Sequence, residues 1–347
     1  MKLKSLLLAS AAIALAGVTV ANAADIPDPD DYQVEASADK SGSSVDVCDV
    51  AGVGFFYIPG TKTCLKIGGA VETTVGYASI GDGNVYKDAY AKVEARMDID
   101  TKTQSDIGDI GSKFRLSVNH PFLNGVNNTG DDFGLELAYL TVGPAYVGFK
   151  DTLFNTQVAY GDTFDIENYL GGHLNTLTAG VMVDNIGGGF YAGGAVEGTD
   201  RGQWVSAFHD AKDVDFVGRA GIAGQSWGAS DLSVWYSDRG DFWTLKSTTD
   251  IDVLDGTQGR VTLAYFDVGN DDAALVGVGA KHAFTEKVSG FAGLGYLFSD
   301  TLDNPYMANA GVVYTPTEGF DVTGEFGYGD LGGTKNYNTS VKFSKSF

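Results

Sequence analysis

The sequence predicts an all-β fold, a transmembrane antiparallel β-barrel, and three observations predict it. The chain opens on a short basic and then apolar segment, and no later run is apolar enough for a membrane helix. Strand-period alternation, apolar on one face and charged on the other, recurs through the chain. The final stretch, Tyr337 to Phe347, carries that pattern to its end. Tyr337, Thr339, Val341, Phe343, Lys345 and Phe347 share one face, and Asn338, Ser340, Lys342, Ser344 and Ser346 share the other. A mostly apolar face opposite a polar one, with an aromatic at each end, suits a strand that closes a barrel between lipid and water, ending on Phe347.

Composition agrees. The 48 Gly, 20 Phe and 17 Tyr against 7 Pro favour many strands and tight turns. A mean hydropathy of −0.04 fits barrel strands, whose alternation dilutes the apolar signal. The formal net charge of −22 excludes nucleic acid as a partner, which needs concentrated basic charge. It fits a polar channel lining, loops that could bind divalent cations, or solubility.

Taken in order, Met1 to Ala23 reads as a signal peptide: Lys2 and Lys4, an apolar run from Leu6 to Val20, then Ala21-Asn22-Ala23. The acidic, Pro-containing stretch from Ala24 to Val47 is a flexible or peripheral leader. The barrel is expected over 48–347. Cys48 and Cys64 are the only cysteines, and in an exported chain a structural disulfide between them is expected; the spacing is far from the C-x-x-C of redox catalysts.

The segment from Val47 to Gly69 carries a specific resemblance. Cys48-Asp49, then Gly54-Phe55-Phe56-Tyr57-Ile58-Pro59-Gly60-Thr61, then Cys64-Leu65-Lys66-Ile67-Gly68-Gly69 resemble the N-terminal signature of the alphaproteobacterial porins, the family of the Brucella and Rhizobium major outer-membrane proteins. Ala145-Tyr146-Val147-Gly148-Phe149 and the terminal Phe347 extend it along the chain. The resemblance implies a homotrimer of 16-stranded barrels, each with its own water-filled pore.

After Cys64 the alternation is clear in three segments. Leu65, Ile67, Val71, Val75 and Tyr77 oppose Lys66, Glu72 and Thr74. Ala89, Ala91, Val93, Ala95, Met97 and Ile99 oppose Tyr90, Lys92, Glu94, Arg96 and Asp98. Phe114, Leu116 and Val118 oppose Lys113, Arg115, Ser117 and Asn119. Further candidates run at 133–142, 145–150, 174–183, 190–197, 203–209, 215–223, 231–237, 242–251, 258–268, 273–283, 287–298, 306–315 and 320–328. With the closing strand the candidates number seventeen, and a barrel with both termini on one side needs an even number. Sixteen is the expectation, partly from the resemblance. The weakest segments lie between Gln203 and Ile251, where short pieces could be halves of fewer strands.

The long interruption is Asp151 to His173, after the fifth strand. Connections of this length inside a compact domain are functional or disordered as a rule. The resemblance implies a third loop folded into the barrel and narrowing it. Asp162, Asp165 and Glu167 would then face Lys92, Arg96, Lys113 and Arg115, and opposed charges across a wet constriction set up a transverse field. The alternative is that these acids merely solvate a surface loop.

Other constellations carry little. His120, His173, His209 and His282 have no metal-ligand spacing, so no metal is expected. Gly187 to Ala192 matches G-x-G-x-x-A formally but reads as a turn, and Asp267 to Asp272 is a solvated turn without EF-hand spacing. No cofactor and no catalytic residue is expected. The reading is an outer-membrane barrel that passes small hydrophilic solutes and ions, with mild cation preference from its acidity. Its other expected partners are outer-membrane lipid and lipopolysaccharide. The alternatives are a non-conducting barrel that anchors adhesive loops and, from the enzyme class, a barrel hydrolase.

Overall fold

The computed structural model describes residues 46–80, 86–123, 132–154, 158–162, 175–198, 214–237, 242–268, 271–299, 304–330 and 333–347. A two-residue strand, β1 (Phe56–Tyr57), precedes the staves of the barrel. These are β2 (Thr63–Ile80), β3 (Tyr86–Ser105), β4 (Gly108–Leu123), β5 (Asp132–Val142), β6 (Ala145–Asp151), β7 (Asn175–Gly187), β8 (Phe190–Gly198) and β9 (Val214–Gln225). The circuit continues through β10 (Gly228–Ser237), β11 (Phe242–Leu254), β12 (Thr257–Val268), β13 (Asp271–Thr285), β14 (Val288–Ser299), β15 (Tyr306–Thr317), β16 (Phe320–Asp330) and β17 (Lys335–Ser346). Each stave pairs antiparallel with its neighbours in sequence, and β17 pairs back onto β2, so the sheet closes and has no free edge. Phe347 completes the seam, exchanging backbone hydrogen bonds with Gly69 at 3.0 and 3.1 Å.

Sixteen staves stand where sixteen of the candidate segments were expected. The seventeenth, Gln203 to His209, lies outside the described residues. The wall closes without it, because β8 pairs directly with β9, Glu197 opposite Asp215. Nor are the short segments after it halves of fewer strands: β9, β10 and β11 are separate staves.

Alternation settles the two faces. On β2 and β3 the odd-numbered residues, among them Ile67, Val71, Val75 and Met97, point outward and are exposed in the isolated chain. Charge lies on the even-numbered face, at Lys66, Glu72, Lys92, Glu94, Arg96 and Asp98. Registers such as Lys342 opposite Thr74 and Thr74 opposite Lys92 keep that face inward around the seam. Tyrosine, Phe and Trp pairs cluster outward near one rim, as in Tyr77–Tyr337, Phe216–Tyr236, Trp243–Tyr265 and Tyr306–Tyr328. Such rings sit well at a bilayer interface, where one end is apolar and the other wet.

Two-residue turns join the staves at the opposite rim, at 106–107, 143–144, 188–189, 226–227, 255–256, 286–287 and 318–319. The Gly-rich run is one of them: Gly187, Gly188 and Gly189 all have positive φ, which a tight turn between β7 and β8 requires. At this rim Cys48 is bonded to Cys64. The bond ties residues 46–58 against β2 and β3, with Phe55 lying between Lys66 and Lys102. The signal-peptide segment and the leader up to residue 45 lie outside the described residues.

Candidate functional site

A closed wall of sixteen staves leaves an interior, and what fills it decides what the barrel does. Beyond β6 the chain turns inward. Thr152 donates its hydroxyl to Glu197 at 2.6 Å, the Leu153 amide donates to the same carboxylate at 2.8 Å, and the Phe154 amide is capped by Thr152 Oγ1 at 3.1 Å. Leu153 and Phe154 are thereby buried against inward residues of β8 to β10, Phe154 lying 6.1 Å from the Trp235 ring.

The described part of the loop resumes at Val158, fully buried, whose carbonyl accepts from Thr262 Oγ1 at 3.0 Å. Tyr160 stacks on Arg260 at 4.7 Å, and its hydroxyl donates to Gln258 at 3.2 Å. Arg260 is in turn held by both oxygens of Asp250, at 2.7 and 2.9 Å. The Tyr160 carbonyl accepts from Asn309 at 2.6 Å. Gly161 adopts φ +98°, and a Cβ there would collide with Asn309 and Glu325. The Asp162 amide donates to Glu325 at 3.0 Å, and its carboxylate pairs with Lys342. Partial burial, with the charge of Asp250 adding to it, pushes the Tyr160 phenol up to about 12.

The residues that receive the loop share a signal the sequence reading missed. Inward positions on β13 and β14 hold Gly277, Gly279 and Gly293, and the space a Cβ would fill there is taken by Val158, Tyr160 and Ala159. Glycine repeated on the inward face of neighbouring strands marks where another piece of backbone approaches closely.

Asp162 therefore meets Lys342, on the polar face of the closing strand, rather than the four bases expected from the sequence. Those bases stand on the β3–β4 wall and are matched by acids of the staves around them. Arg115 pairs with Asp98 at 2.7 Å and lies 3.8 Å from Glu136; Lys113 pairs with Asp100 at 3.4 Å and Lys92 with Glu94 at 3.6 Å. Arg96 is exposed on the same wall and makes no ion pair with a described carboxylate. Asp165 and Glu167 lie outside the described residues. His120 sits half-buried on β4, and His282 hydrogen-bonds Thr257 at 2.7 Å; His173 and His209 lie outside the described residues.

A lumen lined by charge, a lipid-facing exterior, and residues 152–154 and 158–162 packed against the inner wall make a barrel with a polar interior. The chain matches the Porin subfamily over residues 39–346. It belongs to that family. Porin Omp2b of Brucella abortus (strain 2308) is 30% identical to it over 384 aligned residues covering 100% of both chains. Among solved structures, the outer membrane channel DcaP of Acinetobacter baumannii superposes with a TM-score of 0.66 at 16% identity, covering 84% of this chain and 99% of that one. The anion-selective porin from Comamonas acidovorans superposes with a TM-score of 0.58 at 13% identity, covering 82% of this chain and 100% of that one. These two likenesses show the shared barrel. This porin is accordingly a multi-pass outer-membrane channel for small hydrophilic solutes, and it is not an enzyme.

Proposed function

We propose that the 151–173 connection sets the width of the pore, that its charge gives a weak preference for cations, and that the porin works as a homotrimer. The observation that carries the first point is the seating of Val158 to Asp162. This short segment touches Thr262, Gly277, Gly293, Asn309, Glu325 and Lys342, which stand on six consecutive staves from β12 to β17. A loop laid along that side leaves water the rest of the interior, which includes the adjoining wall of β2 to β5. There Lys92, Arg96, Lys113 and Arg115 alternate with Glu94, Asp98, Asp100 and Glu136, so Asp162, Asp165 and Glu167 on the loop would tip the balance toward cations.

Planar-bilayer recordings test this with the wild type and an Asp162→Asn, Asp165→Asn, Glu167→Gln variant. Stepwise openings are expected, with the reversal potential in a potassium chloride gradient moving toward chloride in the variant. Anion preference in the wild type, or an unmoved potential in the variant, overturns the assignment. Folded protein that never opens favours the anchoring barrel instead.

The trimer has support in the height of the wall. β6 is only seven residues long, which at a usual tilt rises roughly 16 Å, short of the apolar band of about 25 Å. Low staves are tolerable where a second copy covers them, whereas the remaining wall meets lipid and, at its aromatic rim, lipopolysaccharide. Chemical crosslinking in native membranes yielding only monomers would count against assembly.

A further inference from the structure

Along β5 to β7, away from the row of contacts that seats the loop, the inner wall is hollowed into a recess of about 580 Å³. Tyr139, Tyr146, Lys150, Leu153, Met182 and Arg219 line it. Gly148 holds the inward position between Tyr146 and Lys150, at φ +145°, and a Cβ there would strike the backbone of Ala138 and Tyr139. On the next stave Gly180 is again inward, and the Tyr146 phenol occupies the space its Cβ would need. Gly180 thus makes room for the Tyr146 ring, and Gly148 lets β6 lie close against β5.

The recess offers two aromatic rings, a thioether and one available cation. The Lys150 ammonium stands 4.5 Å from the Tyr146 ring centre and 5.8 Å from that of Tyr139. Its hydrogen bond is to the Asp151 carbonyl at 3.3 Å, and it forms no ion pair with a described carboxylate. The other cation is engaged: Arg219 is paired with Asp231, which also accepts from Tyr191 and Ser233. Of the nearby acids, Glu197 is occupied by Thr152 and Leu153, and Asp184 is an exposed residue of the lining.

We propose that this recess is a binding site for small organic anions carrying a flat ring, the carboxylate meeting Lys150 and the ring lying against Tyr139, Tyr146 and Met182. The proposal rests on the chain being an open channel. Ring stacking and sulfur–aromatic contact favour a flat apolar body, and a charge-assisted hydrogen bond fixes its carboxylate. In a protein of net charge −22 the overall field disfavours anions, so a local cation beside aromatic surface would let ring carboxylates dwell and pass where plain anions are held back.

The test compares benzoate, acetate and benzyl alcohol as permeants through wild-type trimers and a Lys150→Gln variant in liposomes. Benzoate flux is expected to saturate in the wild type while acetate and benzyl alcohol flux stay linear, and half-saturation is expected to rise about tenfold in the variant. Linear benzoate flux through a pore that conducts potassium chloride overturns the recess and leaves the channel standing. Saturation unchanged by Lys150→Gln places binding elsewhere and also overturns it. A pore that conducts nothing fails the channel reading itself. Should the variant not fold, methyl-labelled methionine in the wild-type protein reads the same site: benzoate is expected to shift the Met182 resonance while those of Met97 and Met307 stay still. A still Met182 overturns the proposal.

Discussion

Asp162 and Phe154 both fasten the loop, and the physics of each predicts a different loss. The Asp162–Lys342 pair is partly open to water, with the aspartate side chain 66% exposed, and pairs of that kind contribute at most about 1 kcal/mol. Phe154 is 3% exposed within the interior cluster, and truncating such a ring to Ala costs about 3–5 kcal/mol. Phe154→Ala is therefore expected to raise open-channel noise and lower the melting temperature in detergent, while Asp162→Asn leaves the melting temperature nearly unchanged; equal effects would mean the ion pair is the true anchor. Tyr160 gives a pH prediction. Its phenol is held neutral up to about 12, above the value near 10 expected when unfolded, so its contribution is complete below about 10 and is lost as pH rises through about 12. Spectrophotometric titration of the wild type minus Tyr160→Phe is expected to show one phenolate forming late. A difference spectrum rising near 10 would mean that Tyr160 is solvated.

At the scale of the element, the staves were legible because each one separates lipid from water, and a period of two is the direct imprint of that environment. β3, with Ala89, Ala91, Val93, Ala95, Met97 and Ile99 outward, was legible in its faces, although the strand runs from Tyr86 to Ser105, past both ends of that alternation. The docking of the loop was not legible in the same way. Lys342, Glu325, Asn309 and Arg260 are far from Asp162 in sequence and meet the loop only because closure and register bring β12 to β17 around it. The inward glycines at 277, 279 and 293 were the one local clue. The disulfide-tied segment at the opposite rim behaves as an element of its own. Bonding Cys48 to Cys64, 16 residues apart, constrains the unfolded chain by roughly 3 kcal/mol in the chain-entropy account. Replacing both by Ser is expected to lower the melting temperature by several degrees while circular dichroism at room temperature keeps its strand signal. An unchanged melting temperature would show that Lys66 and Lys102, bonded to the carbonyls of Val53 and Ala51, hold the segment without the bond.

For the whole molecule the question is whether ion preference comes from a bound site or from the field of the protein. The channel-side walls of β2 to β5 alternate acid with base, and the pairs there sit within about 4 Å of each other, so at longer range they largely cancel. The surplus behind the net charge of −22 must then act from beyond those pairs, through water. A field of that kind is screened: the Debye length is about 10 Å in 0.1 M salt and about 3 Å in 1 M salt. The potassium-to-chloride permeability ratio is therefore expected to exceed one in dilute salt and to approach one in concentrated salt. Reversal potentials measured at a fixed gradient across a salt series decide the matter. A ratio that holds constant would mean that cations are selected at a close, desolvated site on the loop. Asp162 is matched by Lys342 and cannot supply that site alone, so Asp165 and Glu167 would then be the carboxylates to replace first.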